Sequence, residues 1–340
     1  MEQAPPPGFD LSSLIIRNEN GIAAASPLFR TNYQLSTTLP RVLRRAMAWV
    51  ERVSPRLTTL PVVGIGSPVM DHCAVGYPPT ASTFERTQAF SALIDGLETE
   101  AEATGAHLMA VKDVGDSEAS WADPVLHSRR YARIASLPIA VLDLPFSDVE
   151  QYLQSLTAST RRNLRQKIRA SATAVSFEET SSASGLVDEI AQLYQSTRAN
   201  SKAAYGEFDD LSPEYVQKVV EDVEGATLLL GRVDGNLASF ALILTRGDTA
   251  FAHQLGMRYP VARANNLYFL NWIETVRYCI DRGISRLEFG QTSYPIKLRL
   301  GCRLEPSWIY FRHRVRPIHA AMRYIAPRFG FDRMEPIGCE

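Results

Sequence analysis

The order of apolar and polar positions divides this chain into two runs of alternating helices and strands. In the first, Ser13–Arg17 and Ile22–Thr31 read as strands joined by Asn18-Glu19-Asn20-Gly21, a turn sequence able to supply positive φ. Residues 1–12, with three prolines, read as a flexible tail. Pro40–Val53 has the apolar spacing of an amphipathic helix, Leu60–Gly66 reads as a strand, Ser82–Thr104 as a long helix stopped by Gly105, and His107–Val114 as a strand. Arg133–Leu144 is apolar but interrupted by Pro138, which suits an edge strand or a connector better than a central strand.

The second run repeats this grammar. Ser159 or Thr160 is placed to cap a helix reading RRNLRQKIRA, Thr173–Glu178 reads as a strand, and Leu186–Arg198 as a helix. Ser212-Pro213-Glu214 opens another helix, with a capping serine, proline in the first turn and an acid at the positive end of the dipole; Gly225 ends it. Ala226–Val233, Leu237–Thr245 and Thr249–Gly256 form an antiparallel meander with turns at Asp234-Gly235-Asn236 and Arg246-Gly247-Asp248. A long helix over Arg263–Gly283, a short strand RLEFG and a loop QTSYPIKLRLG bearing Lys297 follow. Their closeness in sequence makes them neighbours in space, and the active site is expected there. The stretch Trp308–Phe329 adds a strand and a short helix, expected to pack against the first half.

Composition adds little globally and something locally. The chain has 340 residues, 45% hydrophobic and 21% charged, and a formal net charge of -1, so overall charge does not argue for nucleic acid or acidic membranes. Yet Lys297–Met334 holds nine bases against two acids, and Glu178–Glu224 eleven acids against three bases. The four cysteines lie far apart without a C-x-x-C pair, which predicts reduced thiols and no structural zinc or disulfide framework. With no apolar run of membrane-spanning length, a cytoplasmic protein is expected.

The meander feeding a long helix, then strand, then lysine loop resembles the acetyltransferase fold of the GNAT superfamily. STRRNLRQKIR at the start of the second half, with LEFGQTSYPIKLRLG near its end, resembles the subgroup joining FemABX aminoacyltransferases and BioF2-like proteins, over Asp143–Pro317. That resemblance implies an α/β fold with mixed sheets: two tandem GNAT-like domains, the first (1–145) trimmed at its N-terminus and completed by 307–340, the second spanning 146–306. It implies an N-acyltransferase that moves an acyl group from an activated donor, acyl-CoA, to an amine acceptor held between the domains, without a metal. Two other readings stand beside it: an aminoacyl-tRNA-dependent transferase acting on a peptidoglycan precursor or small metabolite, and a catalytically silent binding member. The glycine-rich phosphate loop of CoA-dependent members is replaced here by GMRYPVARANN, while no heptad arm of the kind that accompanies tRNA use is present.

Candidate chemistry follows from these positions. Lys297, read as a partly exposed loop residue, could meet charge developing on an acyl oxygen or hold a donor phosphate; the bland alternative is a solvated lysine. His253 and Tyr294 are possible proton handlers that would line the opening with Gln254, and Gln291 is a substrate-binding candidate; a lone histidine on a strand is otherwise packing. Arg258, Arg263, Asn265 and Asn266 sit at a helix start, where they could contact donor phosphates or simply cap. Arg161, Arg162, Arg165, Lys167 and Arg169 form a basic helix face; in the resembling family an arginine there reaches acceptor phosphates, which Arg162 or Arg165 could match. Asp209, Asp210 and Glu288 are base candidates of low specificity. Gly64-Ile65-Gly66 lacks the following helix of a dinucleotide site, Asp71-His72-Cys73 are adjacent strand residues that cannot converge as a triad, and Trp272, Tyr278 and Cys279 read as core.

Overall fold

The computed structural model describes residues 6–34, 59–200 and 212–326. The Pro40–Val53 helix, Asp209 and Asp210 lie outside the described residues. The chain forms two compact units, one from the described residues up to Leu137 together with those from Pro306 onward, the other from the described residues of Pro138–Glu305.

The first unit opens with the hairpin β1 (Phe9–Asn18) and β2 (Gly21–Gln34), turned at Gly21 with φ +115°. The strand begins at Phe9, so residues 9–12 are not tail: Phe9 is buried against Phe29. β3 (Thr59–Ile65) then leads through α1 (Thr83–Thr104) to β4 (Leu108–Gly115), and the two strands pair in parallel. Helix α1 is bounded by local chemistry. The Ser82 hydroxyl accepts from the Glu85 N–H at 3.3 Å while the Glu85 carboxylate accepts from the Ser82 N–H at 2.8 Å, and Gly105 closes the end at φ 68°. Its face of Phe90, Leu93, Ile94 and Leu97 is buried on the sheet. The next segment, for which the sequence predicts no element, forms α2 (Asp116–Ser128) despite Pro124 inside it, followed by β5 (Ala132–Ala135).

Next comes β6 (Ile139–Asp143), then α3 (Val149–Ser155), α4 (Ala158–Ser171), β7 (Val175–Thr180), α5 (Val187–Asn200), α6 (Pro213–Asp222), and the meander β8 (Ala226–Val233), β9 (Asn236–Arg246) and β10 (Thr249–Met257). The cap of α4 is Thr157, whose side chain accepts from the Thr160 N–H, not Ser159 or Thr160. The single long helix expected over Arg263–Gly283 is two, α7 (Val261–Ala264) and α8 (Leu267–Asp281), because Asn266 takes the left-handed conformation at φ 55°. β11 (Arg286–Glu288), α9 (Tyr294–Arg299), β12 (Arg303–Glu305), β13 (Ser307–His313) and α10 (Arg316–Ile325) complete the order.

The two sheets run β1-β2-β3-β4-β13-β5 and β12-β6-β11-β10-β9-β8-β7, both mixed. Each receives one interior strand from far along the chain. β13 pairs antiparallel with β4 and with β5; β6 pairs antiparallel with β11 and with β12. Residues 133–144 therefore contain two strands in different sheets, and β6 is interior rather than an edge or a connector. Pro138 sits between the strands, so its missing N–H costs no ladder bond, and Ile139–Leu142 are all buried, as a strand covered on both faces requires. Elsewhere in the second sheet Gly256 is fixed by packing: a Cβ there would fall 2.2 Å from the Phe240 ring.

The end of this sheet carries an ionic network. Arg286 forks onto Glu305 at 2.8 and 2.7 Å and reaches Glu288 at 2.9 Å, while Arg303 donates to Asp143 at 2.7 Å. Arg286, with help from Arg303, holds the Glu305 carboxyl down at about 2. A depressed carboxyl pKa contributes stability that is present above the ordinary carboxylate range and is lost as pH falls toward about 2. The melting temperature is expected to drop on acidification through that window. Glu305→Gln should flatten the drop and cost about 1 kcal/mol at neutral pH, measured by thermal denaturation across pH.

Candidate active site

Strands β10 and β11 pair in parallel only from Thr249↔Arg286 to Phe251↔Glu288. Beyond that point the backbone after β11 keeps its bonds to β6, with Phe289 N–H to the Ala140 carbonyl at 2.8 Å and Ala140 N–H to the Gly290 carbonyl at 3.1 Å. β10 instead runs on alone on that side to Met257. The sheet thus opens along Ala252–Met257, and in the opening the register of β10 against β9 skips one residue between Ala252 and Gln254. The extra residue is His253. A bulge of this kind re-aims a side chain out of the ladder's alternation. The His253 Nε2 lies 3.0 Å from the Tyr215 hydroxyl of α6, and enclosure pushes the imidazole down to about 4, so it is neutral at physiological pH. The Gln254 Oε1 is buried nearby in sequence with no hydrogen-bond partner among the described residues.

At the far end of β10 the chain turns into α7 and α8. The Lys167 ammonium of α4 donates to Asn266 Oδ1 at 3.0 Å and sits 4.6 Å from the centre of the Phe269 ring; Ser171 of the same helix donates to the Asn265 carbonyl at 2.9 Å. A cavity of about 220 Å³ lies here, lined by Lys167, Met257, Tyr259, Arg263, Asn266 and Phe269 among others. Asn266 makes no side-chain cap to α8, so the first N–H groups of that helix, with two cations beside them, present an anion-binding end. Arg263 lies over the Tyr259 ring at 5.2 Å.

The four residues expected to hold a donor therefore divide. Arg263 and Asn266 line the cavity, whereas Asn265 turns its amide back to the Val261 carbonyl at 3.1 Å and the exposed Arg258 faces Glu189 at 3.7 Å. Lys167, which sequence alone left among five look-alike bases, joins them; only the packing of α4 on the α7–α8 corner singles it out. On the same helix Arg161 closes α3 by donating to the Gln154 and Leu156 carbonyls, Arg165 pairs with Glu150, and Arg162 is exposed.

Lys297 differs most from expectation. It lies on helix α9, not in a loop, and is 6% exposed. Its ammonium donates to the carbonyls of Phe289, Gly290 and Gln291 at 2.6, 3.2 and 3.0 Å, which matches all three of its N–H groups with backbone acceptors. Gln291 enters through its backbone. Tyr294 is likewise buried and donates to the Pro138 carbonyl at 2.8 Å. Both residues anchor the turn through Gly290, Thr292 and Ser293, all at positive φ. Glu288, held by Arg286, is a committed ion-pair acid rather than a base. Trp272 is core as read, stacked on Phe289 at 3.5 Å and donating to the Tyr152 hydroxyl at 2.8 Å. Lys297→Met, which leaves three carbonyls without their donor, is expected to cost about 3 kcal/mol and lower the melting temperature visibly. A variant that melts like the parent would return Lys297 to the list of groups free to act on a substrate.

Residues 158–298, which hold β10, β11 and the cavity, match the family model for the acetyltransferase (GNAT) domain. A Mycobacterium tuberculosis protein provisionally named 8-amino-7-oxononanoate synthase 2 is 26% identical over 184 residues, covering 52% of this chain; the chain spans 24% of that relative's length. Among solved structures, FemX superposes with a TM-score of 0.60 at 11% identity over 93% of this chain and 91% of FemX. A tandem GNAT protein from the clavulanic acid biosynthesis pathway superposes at 0.50 with 12% identity, over 92% and 85%. Residues 158–298 thus match the GNAT acetyltransferase domain, and the chain has the tandem GNAT fold.

Proposed function

We propose that this chain is an acyltransferase that works in the opening along β10, moving an acyl group from acyl-CoA to an amine. The observation that carries the reading is the placement of two features on one strand: a bulged, neutral His253 and, four residues on, a cationic cavity of about 220 Å³. Four extended residues span about 13 Å, a length that an extended carrier arm can cover from its phosphates to its thioester. In this reaction the amine nitrogen attacks the thioester carbonyl carbon, the C–N bond forms as the C–S bond breaks, and the sulfur leaves as thiolate. The proton lost by the amine passes to His253, whose Tyr215 partner fixes the ring. Lys167, Arg263 and the start of α8 hold the donor phosphates. The exposed Arg162 offers a phosphate-bearing acceptor a further cation, Arg165 a second only on leaving Glu150, and Lys297 acts as a positioning residue that shapes the turn after β11.

One observation favours a second reading, an aminoacyl-tRNA donor. Arg263, Asn265 and Asn266 stand where successive glycines would form a pyrophosphate nest, so the site grips a phosphate without being shaped for two of them. Thiol release with acyl-CoAs and aminoacyl transfer from charged tRNA, measured side by side over a panel of amines, separate the two. The donor should raise the melting temperature by mass action, and a protein that is stabilised by a donor but turns over neither is a binding member.

Two outcomes are expected of the variants. Lys167→Gln and Arg263→Gln should each raise the donor KM about tenfold and weaken its salt dependence, with the melting temperature near that of the parent. His253→Ala should lower kcat about 10²-fold, and the parent's rate should keep its base form down to about pH 4, with no titration step near 6.5. An acid limb centred near 6.5 would assign the proton to another group.

A further inference from the structure

Helix α10 is built the wrong way round for a helix facing water. Its one buried residue is His319, at 8% exposure, while Ile318 and Ile325 stand 46% and 45% exposed and Val315, just ahead of the helix, 44%. Val315, Ile318, Met322 and Ile325 recur at spacings of three and four, so they form one stripe. The helix is seated without that stripe. His319 Nε2 donates to the Arg130 carbonyl at 2.8 Å, its Nδ1 accepts from the His313 N–H at 3.3 Å, and its ring meets Phe311 edge-on at 6.0 Å. Hydrogen bonds hold the inner face, and the aliphatic face is left over for something else.

The charge around the stripe indicates what that is. Arg314, Arg316 and Arg323 are exposed and have no acidic partner among the described residues, whereas Arg30, Arg129 and Arg312 of the same unit each pair with a carboxylate. The sequence from Pro306 to Phe331 contains no Asp or Glu at all. An occupant must then bring negative charge at its rim and accept an aliphatic ridge beneath it. Tyr324, 71% exposed beside these residues, is of the type that collects at a headgroup boundary. No helix among the described residues is long and apolar enough to cross a membrane, so attachment would be peripheral.

We propose that α10 is an interfacial helix that seats this protein on an anionic lipid surface, with Ile318 and Ile325 in the acyl boundary and Arg314, Arg316 and Arg323 on lipid phosphates. The proposal is independent of the donor and of the reaction.

Co-sedimentation of the full chain with vesicles tests it, using phosphatidylcholine alone and phosphatidylcholine mixed with phosphatidylglycerol. The protein is expected on the mixed vesicles only. The triple variant Arg314→Gln, Arg316→Gln, Arg323→Gln should lose about a hundredfold in partition, near fivefold per arginine. Ile318→Asp with Ile325→Asp should abolish binding, with the melting temperature unchanged because these side chains are exposed. The arginine variant gives an independent reading should the isoleucine variant fold poorly. Failure to bind either vesicle, equal binding to both, or undiminished binding by the arginine variant would overturn the idea. So would light scattering that shows a parent dimer converted to monomer by the isoleucine changes, since a second copy would then cover the stripe.

Discussion

An interior strand must be hydrogen-bonded along both edges, and both sheets of this protein meet that demand with a strand from a distant part of the chain. β6 lies between β11 and β12, and β13 between β4 and β5. Without β6, the short strands β11 and β12, three residues each, would have little to hold them in the sheet. Without β13, β5 would be detached from β4. The first sheet is therefore complete only once β13 has joined it and the second only once β11 and β12 have returned to β6, where Arg303 ties β12 to Asp143 of β6 and Arg286 ties β11 to Glu305 of β12.

The same strand explains the opening. Past Glu288 the backbone stays with β6, through Ala140, and so cannot stay with β10. Lys297 then gathers the next three carbonyls and Tyr294 ties to Pro138, at the head of β6. These contacts fix the turn on one side of the gap, while β9 and the helices α5 and α6 support β10 on the other. A buried lysine with all its donors used shapes such a site more than it reacts in it. The reaction proposed above is therefore assigned to the neutral His253 in the gap and to the cations at the start of α8.

Charge is distributed with the same separation of tasks. Bases that pair with carboxylates hold strands and helices together, as Arg286 and Arg303 do. Arg263 at the cavity and Arg314, Arg316 and Arg323 around α10 have no carboxylate partner among the described residues, and these are the bases to which the proposals assign ligands. A net charge near zero hides this, because the acids and bases are not mixed evenly along the chain.

Elements with local signals were legible from sequence alone. α1 starts after Ser82 and stops at Gly105 as read, the turns at Asp234-Gly235 and Gly247-Asp248 set the meander, and the succession of elements with the Lys297 segment was enough to recognise the fold class. These rest on contacts between residues a few positions apart, which periodicity and turn chemistry record. Only the tertiary structure decided that Ile139–Asp143 leaves the sheet of its sequence neighbours, that Asn266 breaks a helix whose apolar period continues, that Lys297 is consumed by carbonyls, and that Lys167 rather than its basic neighbours reaches the cavity. In each case the deciding partner lies elsewhere in the fold: β11 and β12 for β6, the α4 side chains for Asn266, the turn after β11 for Lys297. A side chain's type is written in the sequence, but whether its hydrogen bonds are already spent depends on which backbone the fold brings beside it.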